Sequence, residues 1–513
     1  MLLYVAPIWA SDWSKNKTEK GREFTGCMSE NTSIKKNLGF QTAYQILITC
    51  LPLITSPYLS RVLGASQLGV YSFTSSIMSY FALFALLGTV NHGTRSIASC
   101  GADRRKRSET FWNIYLMQVS TSLLCTLGYV GYVLLIVKEN KLIAAIQTIH
   151  VLSCVFNINW LFFGVEDFKR TVTRNALIRI ASVILILFLV KKPDDLWLYA
   201  LIMVGGELVG QIIMWAYAGT HIEKATVDFK KVLANLKPSL MLFIPLLAMS
   251  IYHVMDKTML GALSSFTQSG YYYNADKVVN VTVGVISGIS TVMLPRMTAL
   301  ISSGKKKESD ELFKLSMEGT AIVGIAMAFG IAAIANEFEP VFFGPGYDEC
   351  VLLTIVLAPV LIIKAFSFTA RYQYLVPHHK EKSYTISVIV GAFVNLIANS
   401  LLIPSYGAMG AVLGTLLAEL SACVWQYLSI RKLISLEKTL VSCIAYLGFG
   451  LLMFLLVRLV ATISINLYIK ILLEVLTGVV AYFALCEAYW RLTKSNIRKV
   501  MFGTVLSKIK KRV

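Results

Sequence analysis

The sequence predicts an all-α polytopic membrane protein: about 14 transmembrane helices, two six-helix bundles in parallel pseudo-repeat plus two C-terminal helices, and both termini cytoplasmic. Three observations predict it. The composition is too apolar for a water-facing surface, runs of membrane-spanning length recur along the chain, and basic residues alternate from one connecting loop to the next. Of the 513 residues, 56% are hydrophobic and 15% charged, whereas globular domains carry about 45–50% and about 25%. The net charge of +19 then reads as a device that orients the chain in a bilayer, and nucleic acid is not an expected partner. The nine cysteines form no CxxC pair, and all but Cys27, Cys100 and Cys350 lie inside apolar runs. They read as small buried hydrophobes, neither a disulfide framework nor a metal cage.

A hydrocarbon core of about 30 Å needs about 20 mostly apolar residues per helix. Fourteen runs qualify, near 38–60, 70–93, 111–137, 142–164, 174–190, 197–219, 238–262, 278–297, 315–336, 350–370, 385–403, 408–430, 439–461 and 466–490. Twelve is the main competing count. With the N-terminus inside, the inner segments hold 37 Lys and Arg, the outer segments hold six, and five more fall within or at the edge of spans. That alternation supports an even number of crossings with both termini inside. Trp112, Trp160, Trp197, Trp215 and Trp490 sit near span ends, where amphipathic rings favour the interface.

The domain plan follows: a cytoplasmic leader at 1–36, an N-terminal six-helix bundle at 37–219, an inner linker at 220–237, a C-terminal six-helix bundle at 238–430, two further spans at 431–490 and a basic cytoplasmic tail at 491–513. The leader is polar and unpatterned and is expected to be disordered. Its apolar stretch precedes its basic one, the reverse of a signal peptide. Met28, just before Lys35 and Lys36, is the expected working start.

The two bundles repeat each other. A shift of 201 pairs Gly69 with Gly270, Tyr71 with Tyr272, Arg95 with Arg296, Ala98 with Ala299 and Ser108 with Ser309. These matches lay span two on span eight and one inner basic loop on another. Six spans return the chain to the same side, so the halves are parallel repeats, an arrangement that suits rocking of one bundle against the other around a central cleft.

Several segments resemble bacterial polysaccharide flippases of the O-antigen (Wzx) type. They are NLGFQTAYQILITCLPLITSPYLSRVLGASQLGVYSF from Asn37 with NHGTRSIA ending at Ala98, MDKTMLG at 255–261, GYYYNADK at 270–277, VMLPRM at 292–297, FFGPGY at 342–347, QYLVPHHKEKSY at 373–384 and NLIANSLLIPSYGAMGAVLGTLLAE at 395–419. Spans three to six and the tail match in hydropathy alone. The long leader and the doubled His378-His379 depart from the pattern. The family belongs to the multidrug, oligosaccharidyl-lipid and polysaccharide exporter superfamily, whose fold is two six-helix bundles forming a V around a cavity. The resemblance implies a multi-pass protein of the cell inner (cytoplasmic) membrane, not an enzyme. It implies export of an undecaprenyl-pyrophosphate-linked oligosaccharide from inner to outer leaflet, with membrane lipids and the polysaccharide polymerase machinery as partners. No cofactor is expected beyond coupling to a proton or sodium gradient.

A substrate of that kind pairs an anionic pyrophosphate with polar sugars, and the charged residues of the spans can be sorted against it. A charge at bilayer depth costs at least about 2.5–3.5 kcal/mol unless it faces a cavity or a partner, and the arginine fork suits phosphate. The translocation candidates are Arg61, Arg95, Asp256, Lys257, Asp276, Lys277 and Arg296. Against that role, Arg95 and Arg296 also fit as inner-leaflet anchors, Arg61 as a snorkelling side chain, and Asp256–Lys277 or Asp276–Lys257 as a structural clamp. Glu207 and Glu419 are the candidates for carrying a coupling ion, and Glu474 with Lys470 reads as a structural i, i+4 ion pair. Pro52 and Pro245 occupy related places in spans one and seven, where each removes a backbone hydrogen bond and allows a hinge. Asn395 and Asn399 share one helix face and are expected to contact a neighbouring helix. The competing readings are an ion-coupled multidrug exporter, a lipid II flippase, and a membrane polymerase or ligase. The last lacks an outer loop with room for catalytic groups, and no nucleotide-binding loop is present.

Overall fold

The computed structural model describes residues 30–495, 497 and 498, with side chains from Leu51 onward except at 245, 251–253 and 438. Most of the expected leader, the Met28 start and the tail beyond 498 lie outside the described residues. Among those described, every regular element is helical. Hydrocarbon dictates this, because it holds no water to satisfy backbone N–H and C=O groups.

In chain order the helices are α1 (Glu30–Leu86), α2 (Thr89–Ser99), α3 (Arg104–Leu135), α4 (Lys141–Ser153), α5 (Asn159–Gly164), α6 (Phe168–Leu189), α7 (Leu196–Ala218), α8 (Phe229–Ala234) and α9 (Leu236–Leu263). They continue with α10 (Phe266–Ser302), α11 (Lys306–Phe343), α12 (Asp348–Leu357), α13 (Val360–Ala370), α14 (Glu381–Ile430), α15 (Glu437–Ala461) and α16 (Leu467–Thr493). A five-residue π-helical segment, Arg371–Leu375, follows α13. Polar residues start several helices: Asp103 accepts from the Lys106 amide at 2.9 Å and Asn466 from the Tyr468 amide at 3.0 Å, each satisfying a donor that the first turn leaves unpaired.

Twelve helical stretches among the described residues are long and apolar enough to cross a membrane. Two of them, Leu51–Ser99 with 49 residues and Glu381–Ile430 with 50, are about twice the length that one bilayer needs. Each is broken at a glycine. Gly64 adopts φ 76° and ψ 169° and Gly407 φ 53° and ψ −128°, conformations open to a residue without Cβ. α14 then doubles back on itself. Gly410 lies against the Leu402 carbonyl, Gly414 against the Asn399 side chain, and Gln426 Nε2 donates to Ser387 Oγ at 3.1 Å. One partner's number falls as the other rises, which is the signature of antiparallel helices. Asn399 also donates to Asn395 Oδ1 at 3.2 Å, so this amide pair meets a neighbouring helix, as expected from its spacing.

The described helices form two compact units, one holding residues 30–273 and the other the described residues from Asn274. In the first, Leu59, Leu63, Leu68 and Val70 of α1 pack on Ile186, Val190, Leu196 and Tyr199 at the α6–α7 turn. A second cluster joins Ile97, Phe111, Ile114, Trp160, Phe162 and Met214. In the other unit α11 packs on α13, α15 and α16, with Ala321, Ile325, Tyr446, Met453 and Trp490 in the seam. Two of the tryptophans expected at the interface are therefore core residues. Trp160 and Trp490 are 0% and 1% exposed, and their indoles donate to Gln118 Oε1 and Tyr446 Oη, each at 2.9 Å. An internal acceptor lets the indole N–H leave the wet interface.

Gly69 and Gly270, matched by the internal repeat, lie against each other in the first unit. A Cβ on Gly69 would meet the Phe266 carbonyl, and one on Gly270 the Ala65 carbonyl. Positions 65 and 266 are themselves one repeat apart, so the contact is reciprocal. Close backbone approach of this kind is how membrane helices pack where hydrophobicity supplies no net drive. Gly270→Val is expected to destabilise the protein by about 1–3 kcal/mol through overpacking, read as a lower melting temperature in detergent. An unchanged melting temperature would show that the helices part freely here.

Candidate translocation site

The first unit carries a line of buried and half-buried polar side chains. On α6, Arg174, Ile178, Ser182 and Ile186 recur every four residues and so share one face, with Arg174 only 6% exposed. Its Nη2 donates to Asn159 Oδ1 at 2.5 Å. Asn159 Nδ2 donates to Gln211 Oε1 at 3.3 Å, and Gln211 Nε2 to Glu207 Oε1 at 3.0 Å. Gly206 and Gly210 on α7 provide the space, with Ser182 against the first and Arg174 against the second. His150 on α4 lies within the electrostatic reach of Glu207 and of Arg179.

Further along α7 the line continues through phenols. The Tyr71 and Tyr199 rings are 4.6 Å apart between centroids, and the Tyr199 hydroxyl is in hydrogen-bond reach of Tyr71 and Tyr273. The Lys257 ammonium stands 5.5 Å over the Tyr273 ring, and Tyr272 donates to Asp256 Oδ2 at 2.6 Å. From Gln211 to Tyr199 is about 18 Å at 1.5 Å per residue, so the line covers over half of a hydrocarbon core. Guanidinium and ammonium groups suit an anion, while amides and phenols both donate and accept, as sugar hydroxyls require.

The residues expected from sequence distribute as follows. Asp256, buried at 6% exposure, and half-buried Lys257 belong to the line just described, as does Glu207. Arg61 is exposed, with Nη1 donating to its own Pro57 carbonyl at 3.3 Å. Arg95 is half-buried on α2 and Arg296 exposed on α10. In the other unit Asp276 Oδ1 accepts from Asn280 Nδ2 at 2.6 Å, and Lys277 is half-buried. Glu419, also buried, forms an ion pair with Lys364. Pro52 lies in a part of α1 that remains helical, and the non-helical residue of α1 is Gly64. Pro245 falls within the α9 range, and its side chain lies outside the described residues.

Sequence reasoning missed Arg174, Asn159, Gln211, His150, Arg179 and the tyrosines as one group. In sequence Arg174 follows Lys169 and Arg170 and reads as one more inner-segment cation. The i, i+4 spacing of Glu207 and Gln211 was the available signal. In the other unit, between spans, the His378 ring stacks on Tyr374 at 4.2 Å with Nδ1 2.9 Å from the Tyr374 carbonyl. Burial pushes its pKa down, which favours the neutral ring. Arg174→Leu is expected to cost about 1–3 kcal/mol by leaving Asn159 Oδ1 without its donor. Thermal unfolding checks it, and a melting temperature equal to wild type would mean the amides re-pair without the guanidinium.

Comparison with known proteins places this arrangement. The model of the family described as "Polysaccharide biosynthesis protein" matches residues 34–301, and that of the lipid II flippase MurJ matches residues 173–486. A protein of Escherichia coli (strain K12) named "Putative O-antigen transporter" is 26% identical over 392 residues, which are 75% of this chain and 94% of that one. One of the same name from Shigella dysenteriae is 26% identical over 381 residues, 72% and 92% of the two chains. Among solved structures, the lipid II flippase MurJ in an inward closed conformation aligns with a TM-score of 0.72 at 15% identity, covering 90% of this chain and 99% of that one. An inward-facing multidrug resistance MATE family transporter of the MOP superfamily aligns with a TM-score of 0.56 at 15% identity, covering 78% and 96%. These two likenesses establish a shared fold. With more than half of its length matched by the family model, the chain belongs to the polysaccharide biosynthesis protein family, as a multi-pass protein of the cytoplasmic membrane.

Proposed function

We propose that this chain is a flippase that moves an undecaprenyl-pyrophosphate-linked oligosaccharide repeat unit from the inner to the outer leaflet by alternating access. The observation that carries the reading is alignment along 94% of a protein named for O-antigen transport. The polar line through the first unit supports it chemically, since amides, phenols and cations at membrane depth offer a phosphorylated sugar what hydrocarbon cannot. An ion-coupled drug exporter and a lipid II flippase are not favoured, because the sequence relatives matched along nearly their whole length carry the O-antigen name.

In this reading Arg61, Arg95, Lys257, Lys277 and Arg296 meet the pyrophosphate at successive stages, and Asp256 and Asp276 orient the neighbouring cations. The doubled course of α14 and the break at Gly64 support fourteen crossings with both termini cytoplasmic. The polysaccharide polymerase machinery takes the exported unit. Glu207 is held by a neutral amide, whereas Glu419 has Lys364 as a counter-ion. Glu207 is thus the better placed of the two to exchange a coupling proton or sodium ion. The membrane potential works in the same direction, since moving one negative charge outward through 100 mV gains about 2.3 kcal/mol.

Deletion of the gene is expected to strand lipid-linked glycan on the inner leaflet and remove surface polysaccharide. Unchanged glycan with altered drug tolerance would instead identify an exporter. In the complemented strain, Arg61→Ala and Lys257→Ala are expected to reduce surface glycan at normal expression. Wild-type glycan in both variants would remove these two cations from the pathway.

A further inference from the structure

Outside the residues assigned above, one carboxyl group is unusual. Glu474 on α16 is 0% exposed, and neither of its oxygens has a hydrogen-bond partner. The ion pair expected with Lys470 is replaced by another contact, as the Lys470 ammonium donates to the Ala461 carbonyl at 2.9 Å. The helices packed on α16 are α15 and α11. The charged groups acting on Glu474 from them are Arg458 and Glu337, with Lys470 acting from its own helix. Arg458 is already engaged, since Nη1 donates to Glu337 Oε2 at 2.7 Å and to the Ala333 carbonyl at 2.9 Å. Of the other buried or half-buried acidic residues of α11, Glu318 accepts from Tyr446 at 2.5 Å further along the helices and Glu339 accepts from Thr354 at 2.7 Å.

An ionised carboxylate in this position would be buried without a donor, at a cost of several kcal/mol. A neutral carboxylic acid fits the same space. We propose that Glu474 is a proton-binding site, neutral in the packed state, and that loss of its proton draws Arg458 away from Glu337. In the step the O–H bond of Glu474 breaks and the proton passes to water. The carboxylate then competes for the Arg458 guanidinium, and Glu337 loses a charge-assisted bond. The exchange trades a bridge between α15 and α11 for one between α15 and α16, couples protonation to the packing of α15 on α11, and makes the last two spans a proton-responsive element. This inference deepens the flippase reading and rests on it only for its transport consequence.

Two measurements on the full-length protein test it. Infrared difference spectra of purified protein across a pH series are expected to show a protonated-carboxyl carbonyl band that is lost as pH rises. The band should be missing in Glu474→Gln and shifted in midpoint in Glu474→Asp. A titrating band that is the same in wild type and Glu474→Gln overturns the assignment, as does a midpoint in Glu474→Asp equal to that of wild type. In cells, Glu474→Gln at normal expression is expected to remove the dependence of surface glycan on external pH, which Glu474→Asp keeps. Wild-type glycan with wild-type pH dependence in Glu474→Gln overturns the role in transport. Should wild-type protein itself fail to restore glycan, the flippase reading falls while the infrared result still decides the proton site.

Discussion

Hydrocarbon offers no hydrogen bonds, and every polar group placed in it must find its partner inside the protein. That constraint accounts for the helices, and it also decides where they stop. The two sharp breaks sit at Gly64 and Gly407, where a glycine can turn the backbone without a Cβ clash. The buried indoles of Trp160 and Trp490 reach side-chain oxygens, the Thr320 and Thr369 hydroxyls meet at 2.7 Å, and Lys364 closes on Glu419. Each contact satisfies locally what water would satisfy at a surface.

The same constraint gives the polar line of the first unit its meaning. Arg174, Asn159, Gln211 and Glu207 form a relay in which each member donates to the next. A chain of neutral amides between a cation and a carboxylate keeps both charges solvated by dipoles rather than by each other.

Much of the fold was legible because hydropathy is a local property. The positions of the runs, the alternation of cations and the repeat that lays Gly69 on Gly270 can all be read along one dimension. The faces of the helices cannot. Arg174 stands beside Lys169 and Arg170 in sequence and looks like a loop cation, yet the turn of α6 carries it inside. Trp160 and Trp490 sit where interfacial rings belong, and only the neighbouring helix reveals an acceptor. The Glu474–Lys470 spacing suggests a pair, but the start of α16 lies close enough to Ala461 for a carbonyl to take the ammonium. In each case a third residue, distant in sequence, decides the outcome.

The reciprocal contact at Gly69 and Gly270 ties the two positions to one crossing. Each glycine faces the backbone one turn before the other, so bulk gained at either position pushes on the same crossing. At this crossing a change at one glycine alters what the other can accept, and the two positions are expected to vary together rather than independently.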